Sequence, residues 1–224
     1  MQSAEELRDA LRYIIQNLES TFGAPDNDEP PVVLDMLIGV ILSQATTNTN
    51  SHRTFAALKQ RFPSWEDALA ANTADIADTI RPGGLAQQKA LVIKDLLQRI
   101  KETRGDLSLE FLHTAPLPEA AAYLRQMRGI GPKTIACTLL FACKKDVFPL
   151  DTHIFRILRR AGYLSAKGAD AQAHALMDAL IPSGKFYSLH INLINLGRAI
   201  CHPQNPRCAR CPIVEYCEYG QNVL

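Results

Sequence analysis

The sequence predicts an all-α protein, and three observations carry that prediction. Apolar residues recur at helical spacing almost throughout the 224-residue chain. Alternating, strand-like patterns are scarce. Turn signals rich in Gly and Pro fall between the apolar stripes rather than inside them. Apolar residues make up 47% of the chain, enough for one large domain or two small ones with packed cores.

Taken in order, Leu7, Leu11, Ile14, Ile15 and Leu18 form the stripe of an N-terminal helix. The Pro/Asp-rich stretch 24–31 then separates that helix from the rest. Leu34, Leu37, Ile38, Ile41 and Leu42 make a second stripe. After the turn Pro82-Gly83-Gly84, Leu91, Ile93, Leu96, Leu97 and Ile100 make a third. Residues 118–128 read as a helix with Ala121, Leu124 and Met127 on one face, and 135–142 as an apolar helix after Gly129–Pro132. A helix over 154–160 follows, and turns at Gly162, 182–184 and 203–206 divide the remainder. About ten short helices result.

The first ten residues carry Glu5, Glu6, Arg8 and Asp9, unlike a signal peptide with its basic end and apolar run. No stretch approaches the roughly 18 unbroken apolar residues of a membrane helix. A cytoplasmic protein with no membrane partner is expected. The net charge of +1 excludes a globally basic chain, so any basic face must be local.

Four of the six cysteines crowd the end of the chain: Cys201, Cys208, Cys211 and Cys217, with gaps of six, two and five residues. Without an export signal, metal ligands or reduced thiols are expected rather than disulfides. Thiolates select zinc or an iron–sulfur cluster. Zinc sites usually present two CxxC-like knuckles, and only Cys208 and Cys211 form one here. The uneven spacing favours a [4Fe–4S] cluster, with zinc as the alternative. Four protein ligands leave no open coordination position, which points to a structural or redox role. Arg198, Arg207 and Arg210 surround the group as solvated cations or phosphate contacts. Cys137 and Cys143, in the apolar run 135–143, read as buried free thiols.

The segment Gly129-Ile130-Gly131-Pro132-Lys133-Thr134 joins two helices. Its glycines allow a tight turn and a close partner, and Pro132 suits a first helical position. The exposed N–H groups that follow favour a phosphate, though an ordinary helix–turn–helix corner fits too. Lys133 stands out, because a cation sits poorly at the positive end of a helix. A neutral lysine amine is a nucleophile able to form a Schiff base; phosphate binding or plain solvation are the other readings. Eighteen residues later, Asp151 precedes a helix. It is an N-cap candidate and a carboxylate able to stabilise a cationic transition state. Arg156, Arg159 and Arg160 add a local basic face.

Together these residues resemble the endonuclease III family of DNA glycosylases, over most of the chain. The 129–134 segment is similar to that family's helix-hairpin-helix, with Lys133 at its catalytic lysine. Leu150-Asp151-Thr152-His153 is similar to its catalytic aspartate segment, and the cysteine gaps match its [4Fe–4S] loop. Gly84-Leu85-Ala86-Gln87-Gln88-Lys89-Ala90 resembles the loop whose leucine, here Leu85, wedges into DNA. Leu42-Ser43-Gln44-Ala45-Thr46 resembles the loop that fills the vacated stack, with Gln44 as the filling group. There the sequence departs from the family: Ala45 stands where an amide is common, and Asn48 where an aspartate is common.

The resemblance implies two helical domains flanking a DNA-binding cleft. A six-helix barrel with the hairpin would span 24–133, and an iron–sulfur domain would combine 1–23 with 134–224. It implies a monomer acting on double-stranded DNA with a damaged base or abasic site, nucleoid-associated if prokaryotic. Gln44, Leu85, Gly129, Gly131, Thr134, Arg156 and Arg198 would contact DNA, and Lys133 and Asp151 would carry catalysis. Oxidised pyrimidines are the implied lesions, with alkylated purines or mismatched bases as alternatives. A non-catalytic iron–sulfur DNA-binding or redox-sensing module is an alternative of another class, needing neither Lys133 nor Asp151.

Overall fold

The structure, a computed structural model, describes residues 4–164 and 170–224. Twelve α-helices, four short 3-10 turns and no strand occur among the described residues. The chain groups into two compact units, residues 29–145 and residues 1–28 with 146–224. Helix α1 (Ala4–Phe22) belongs to the second of these, the terminal unit.

The middle unit contains α2 (Val33–Ser43), α3 (Asn48–Arg61), α4 (Trp65–Ala70), α5 (Thr73–Ile80), α6 (Ala86–Arg104), α7 (Leu117–Arg125) and α8 (Pro132–Phe141). Helix α2 is its centre. Val33, Leu34, Leu37, Ile38, Val40, Ile41 and Leu42 are all buried, because α3, α6 and α8 pack around it. A helix buried on nearly every side needs apolar residues on nearly every side. Helix α6 is two-sided. Its buried register runs through Lys89, Ile93, Leu96, Leu97 and Ile100, while Leu91 is 60% exposed. Leu91 therefore leaves the expected stripe, since two residues of helix rotate a side chain by about 200°.

The division between units falls after α8, not at residue 133 inside its first turn. Helix α8 packs on α2 and α7, so the second arm of the hairpin stays with the middle unit.

The terminal unit adds α9 (Thr152–Arg160), α10 (Asp170–Leu180), α11 (Phe186–Ala199) and α12 (Glu218–Val223). Leu11, Ile14, Ile15 and Leu18 of α1 are buried, and α1 packs on α10 and α11. Gly23 ends α1 with φ +89° and donates its N–H to Glu19 O at 2.9 Å, the left-handed stop that glycine adopts without a Cβ penalty. Its carbonyl accepts from Asn192 Nδ2 at 2.9 Å. The Glu19 carboxylate accepts from Lys185 Nζ at 3.0 Å and Ser188 Oγ at 2.7 Å. These contacts tie the first helix to α11. No helix among the described residues is long and apolar enough to cross a membrane.

Candidate functional site

The hairpin is built as its residues require. Gly129 has φ +78°, and a Cβ there would stand 2.8 Å from Val92 Cγ2 on α6. Both the backbone sign and the approach to α6 demand glycine. Gly131 precedes α8 and a Cβ there would meet nothing within 4 Å, so its surface is open. Pro132 opens the helix and Lys133 is exposed beside it. The N–H groups of Lys133 and Thr134 take no backbone acceptor among the described residues, as the first turn of a helix dictates.

Thr134, expected as a DNA contact, has its side chain turned away from solvent. It is only 4% exposed, and its hydroxyl accepts from Gln44 Nε2 at 3.4 Å. A side chain this enclosed supports the neighbouring loop instead. Gln44 itself is exposed, and its side-chain amide reaches the hairpin at Thr134.

Two loops stand side by side in the middle unit. After α2, Ala45 adopts φ +51°. Before α6, Gly84 has φ +72° and Leu85 has φ +51°. A Cβ on Gly84 would lie 4.0 Å from Ala45 O, so the loops are van der Waals neighbours. Left-handed backbone costs a non-glycine residue roughly 1–2 kcal/mol. Leu85 combines that conformation with 55% exposure of a large apolar side chain. Between the loops runs Lys89, only 3% exposed, whose Nζ donates to Leu42 O and to Gly83 O, both at 2.9 Å. Burial pushes its pKa down.

Asp151 sits in the terminal unit and caps α9, its Oδ1 accepting from Ile154 N at 2.8 Å. It is half-buried, and no described residue engages its second oxygen. The strand-like approach to it is pinned from α10 and α11. Asp178 accepts from Phe148 N at 2.7 Å, His174 Nδ1 lies 2.9 Å from Phe148 O, and His190 Nδ1 lies 3.0 Å from Pro149 O. Burial raises the Asp178 pKa, opposed by the Phe148 N–H and by His174. Phe148 is fully buried, edge-on to Phe186 and His190.

The four cysteines converge. Cys201, Cys208, Cys211 and Cys217 line one small cavity, closed by Ile200, Pro206, Val214 and Tyr219. Burial pushes the Cys211 thiol up to about 11, and the charges of Cys201, Cys217 and Cys208 push it the same way. Four soft sulfur donors around one cavity are the donor set of a thiolate-held metal centre. The four-thiol donor set fits a thiolate-held iron–sulfur cluster. Gly220 N donates to Cys217 Sγ at 3.4 Å, a bond of the kind that tunes a cluster thiolate.

Arg156, expected as a DNA contact, and Arg160, expected on a local basic face, both donate to this loop. Arg156 donates through Nε and Nη2 to Cys201 O at 3.0 and 2.7 Å, and to Gly197 O at 3.1 Å. Arg160 donates to Cys201 Sγ at 3.2 Å, His202 O at 2.7 Å and Pro203 O at 2.9 Å. Their guanidiniums satisfy carbonyls that an irregular loop leaves unpaired. Gly197 lets α11 come close to α9, since a Cβ there would stand 2.8 Å from His153. Arg198, Arg207 and Arg210 are the exposed cations of this region, and none forms an ion pair among the described residues. Cys137 and Cys143 are buried apart, and burial pushes Cys143 up to about 11.

Lys89, Asp178, His174 and His190 were not singled out from sequence as site residues. Only Lys89 left a signal there, as a lysine in the buried register of an apolar helix.

A profile of HhH-GPD superfamily base excision DNA repair proteins matches residues 38–183. A profile of the iron–sulfur binding domain of endonuclease III matches residues 201–217. An Arabidopsis thaliana protein predicted to be a DNA glycosylase is 39% identical, covering 89% of this chain and 76% of its own. Endonuclease III of Thermotoga maritima is 27% identical, covering 87% of each chain. The fold matches a solved non-covalent complex of endonuclease III with DNA at a TM-score of 0.82 and 22% identity, over 100% of this chain and 99% of that one.

Proposed function

The chain belongs to the endonuclease III family of the HhH-GPD superfamily and is a DNA glycosylase with an iron–sulfur cluster, and from that premise we propose that it is bifunctional, releasing a damaged base and then nicking the strand. The observation that carries the second activity is Lys133, an exposed lysine on the first turn of α8 directly after the open Gly131.

A base stacked in duplex DNA is out of reach of any side chain, so the substrate nucleotide must leave the stack. The Lys133 Nζ then attacks C1′ of its sugar. The bond between C1′ and the base nitrogen breaks, and the base departs with its electron pair and takes up a proton. Asp151, with one carboxylate oxygen held by Ile154 N–H and the other not engaged, stabilises the positive charge that develops on the sugar. Ring opening converts the adduct to an imine on Lys133. Loss of a C2′ proton then expels the 3′ phosphate by β-elimination, and water frees the lysine. Damaged double-stranded DNA is the substrate and oxidised pyrimidines are the proposed lesions. The protein acts as a monomer.

Cys201, Cys208, Cys211 and Cys217 would hold the cluster, proposed as [4Fe–4S], whose contribution there is to fix the loop between them. Arg198, exposed at the end of α11, would meet the DNA backbone beside that loop.

Borohydride reduces the imine and locks protein to DNA. The wild-type protein should therefore be trapped on a duplex carrying thymine glycol, and Lys133→Gln should lose trapping to background. Undiminished trapping by that variant overturns the nucleophile assignment. Asp151→Asn should slow base release with little change in affinity, and unchanged turnover would remove its role.

A further inference from the structure

We propose that Lys89 is a positioning residue that clamps the loop at 44–46 to the loop at 83–85, so that the two enter DNA as one rigid body. That they enter DNA rests on the activity proposed above.

The clamp is read from two side-chain contacts, beside the ordinary first-turn backbone bond of α6. Lys89 Nζ donates to Leu42 O, in the last turn of α2, and to Gly83 O, just before Leu85, both at 2.9 Å. The Lys89 main-chain N–H donates to Leu85 O at 2.9 Å. One residue therefore holds the wedge loop on both sides of Gly84 and Leu85, and reaches across to the base of the other loop. The acceptors suit an ammonium. Leu42 O is among the carbonyls that α2 leaves without an intrahelical partner, at the negative end of its dipole.

An ammonium is a costly way to fill a core position. Lys89 is buried, and no carboxylate pairs with it among the described residues. Isoleucine or leucine would pack α6 more cheaply. What apolar residues cannot do is bind two carbonyls from separate segments. Those segments need binding, because each continues into a left-handed non-glycine residue, Ala45 and Leu85. Such conformations persist only where the surroundings hold them. Gly83 adds a floor, since a Cβ there would stand 2.9 Å from Thr54 Oγ1 on α3. The adjacency of Gly84 to Ala45 O makes the loops one surface.

A rigid two-loop wedge matters only when a duplex must be opened. Lys89→Met keeps the side-chain length and removes the donors. Two readouts separate positioning from general damage. The first is 2-aminopurine fluorescence in a duplex beside a tetrahydrofuran abasic analogue, which reports unstacking without chemistry. The second is nicking of a single-stranded abasic oligonucleotide, which needs no unstacking. Lys89→Met should lower the affinity-corrected fluorescence rise at least fivefold and slow duplex nicking by about tenfold. It should leave single-strand nicking within twofold of wild type. Lys89→Arg, which keeps the charge and donors, should restore at least half of the fluorescence response. Wild-type fluorescence from Lys89→Met overturns the clamp, and so do equal losses on duplex and single strand. If the wild-type protein nicks neither substrate, the lyase reading fails by itself, and the fluorescence comparison still decides the clamp.

Discussion

The cluster loop at 201–217 and the paired loops at 44–46 and 83–85 are both irregular backbone, yet they are held by different chemistry. The cluster loop has only two 3-10 turns of its own, at Cys208–Arg210 and Val214–Tyr216. Four thiols, with Arg156 and Arg160 on its carbonyls, set its course. Those thiols are the donors proposed to hold a cluster, so the order of this loop is proposed to depend on an outside body. The paired loops depend on nothing outside the chain. A buried ammonium and a glycine floor hold them, against the strain of two left-handed residues. The first arrangement makes local stability conditional on loading. The second stores strain permanently in a fold stable enough to bear it.

The contrast is most easily broken at the cluster. Cys208→Ser removes one proposed ligand, and loss of a metal centre belongs to the rare class of changes costing about 4 kcal/mol or more. The expected result is a large drop in thermal midpoint together with loss of absorbance near 400 nm. A colourless variant that melts with the wild type would mean the loop holds itself. In the paired loops the damage should be smaller. Gly83→Ala drives a methyl against the buried Thr54, 2.9 Å from its Oγ1 and 3.2 Å from its Cγ2. Overpacking of that kind costs about 1–3 kcal/mol, to be read from urea melts, with absorbance near 400 nm unchanged. The smallest effect has the opposite sign. Ala45→Gly relieves left-handed strain, partly offset by added unfolded-state freedom, and should stabilise by up to about 1 kcal/mol. A destabilised Ala45→Gly would show that the φ of +51° is not strained in this setting.

Some of this site was legible before any fold was seen. The cysteine gaps, the Gly-Ile-Gly-Pro-Lys run and Asp151 before a helix are local patterns, each bound to its chemistry by spacing along the chain. The structure gathers the thiols around one cavity and makes Asp151 an N-cap. Arginines were less legible, because a guanidinium has long reach and several partners. Arg156 and Arg160 look from sequence like the exposed face of α9, and both turn inward to carbonyls more than forty residues away. Thr134 was expected to contact DNA through its place in the hairpin, but one position on from Lys133 a helical side chain points about 100° away, and there the Thr134 side chain is buried. The pinning of 148–150 by Asp178, His174 and His190 left no trace in spacing, since its partners lie 26 to 41 residues apart.

By itself the sequence determined the all-helical class, the family, the four cysteines proposed as ligands and the two residues proposed for catalysis, because helical period, turn chemistry and short motifs act over a few neighbouring residues. Only the tertiary structure decided that α8 belongs with the middle unit, that two arginines serve the cluster loop, and that Lys89 joins two loops 41 residues apart, from Leu42 to Gly83. Those choices rest on where buried donors find acceptors, which depends on how the helices pack and not on the order of residues along the chain.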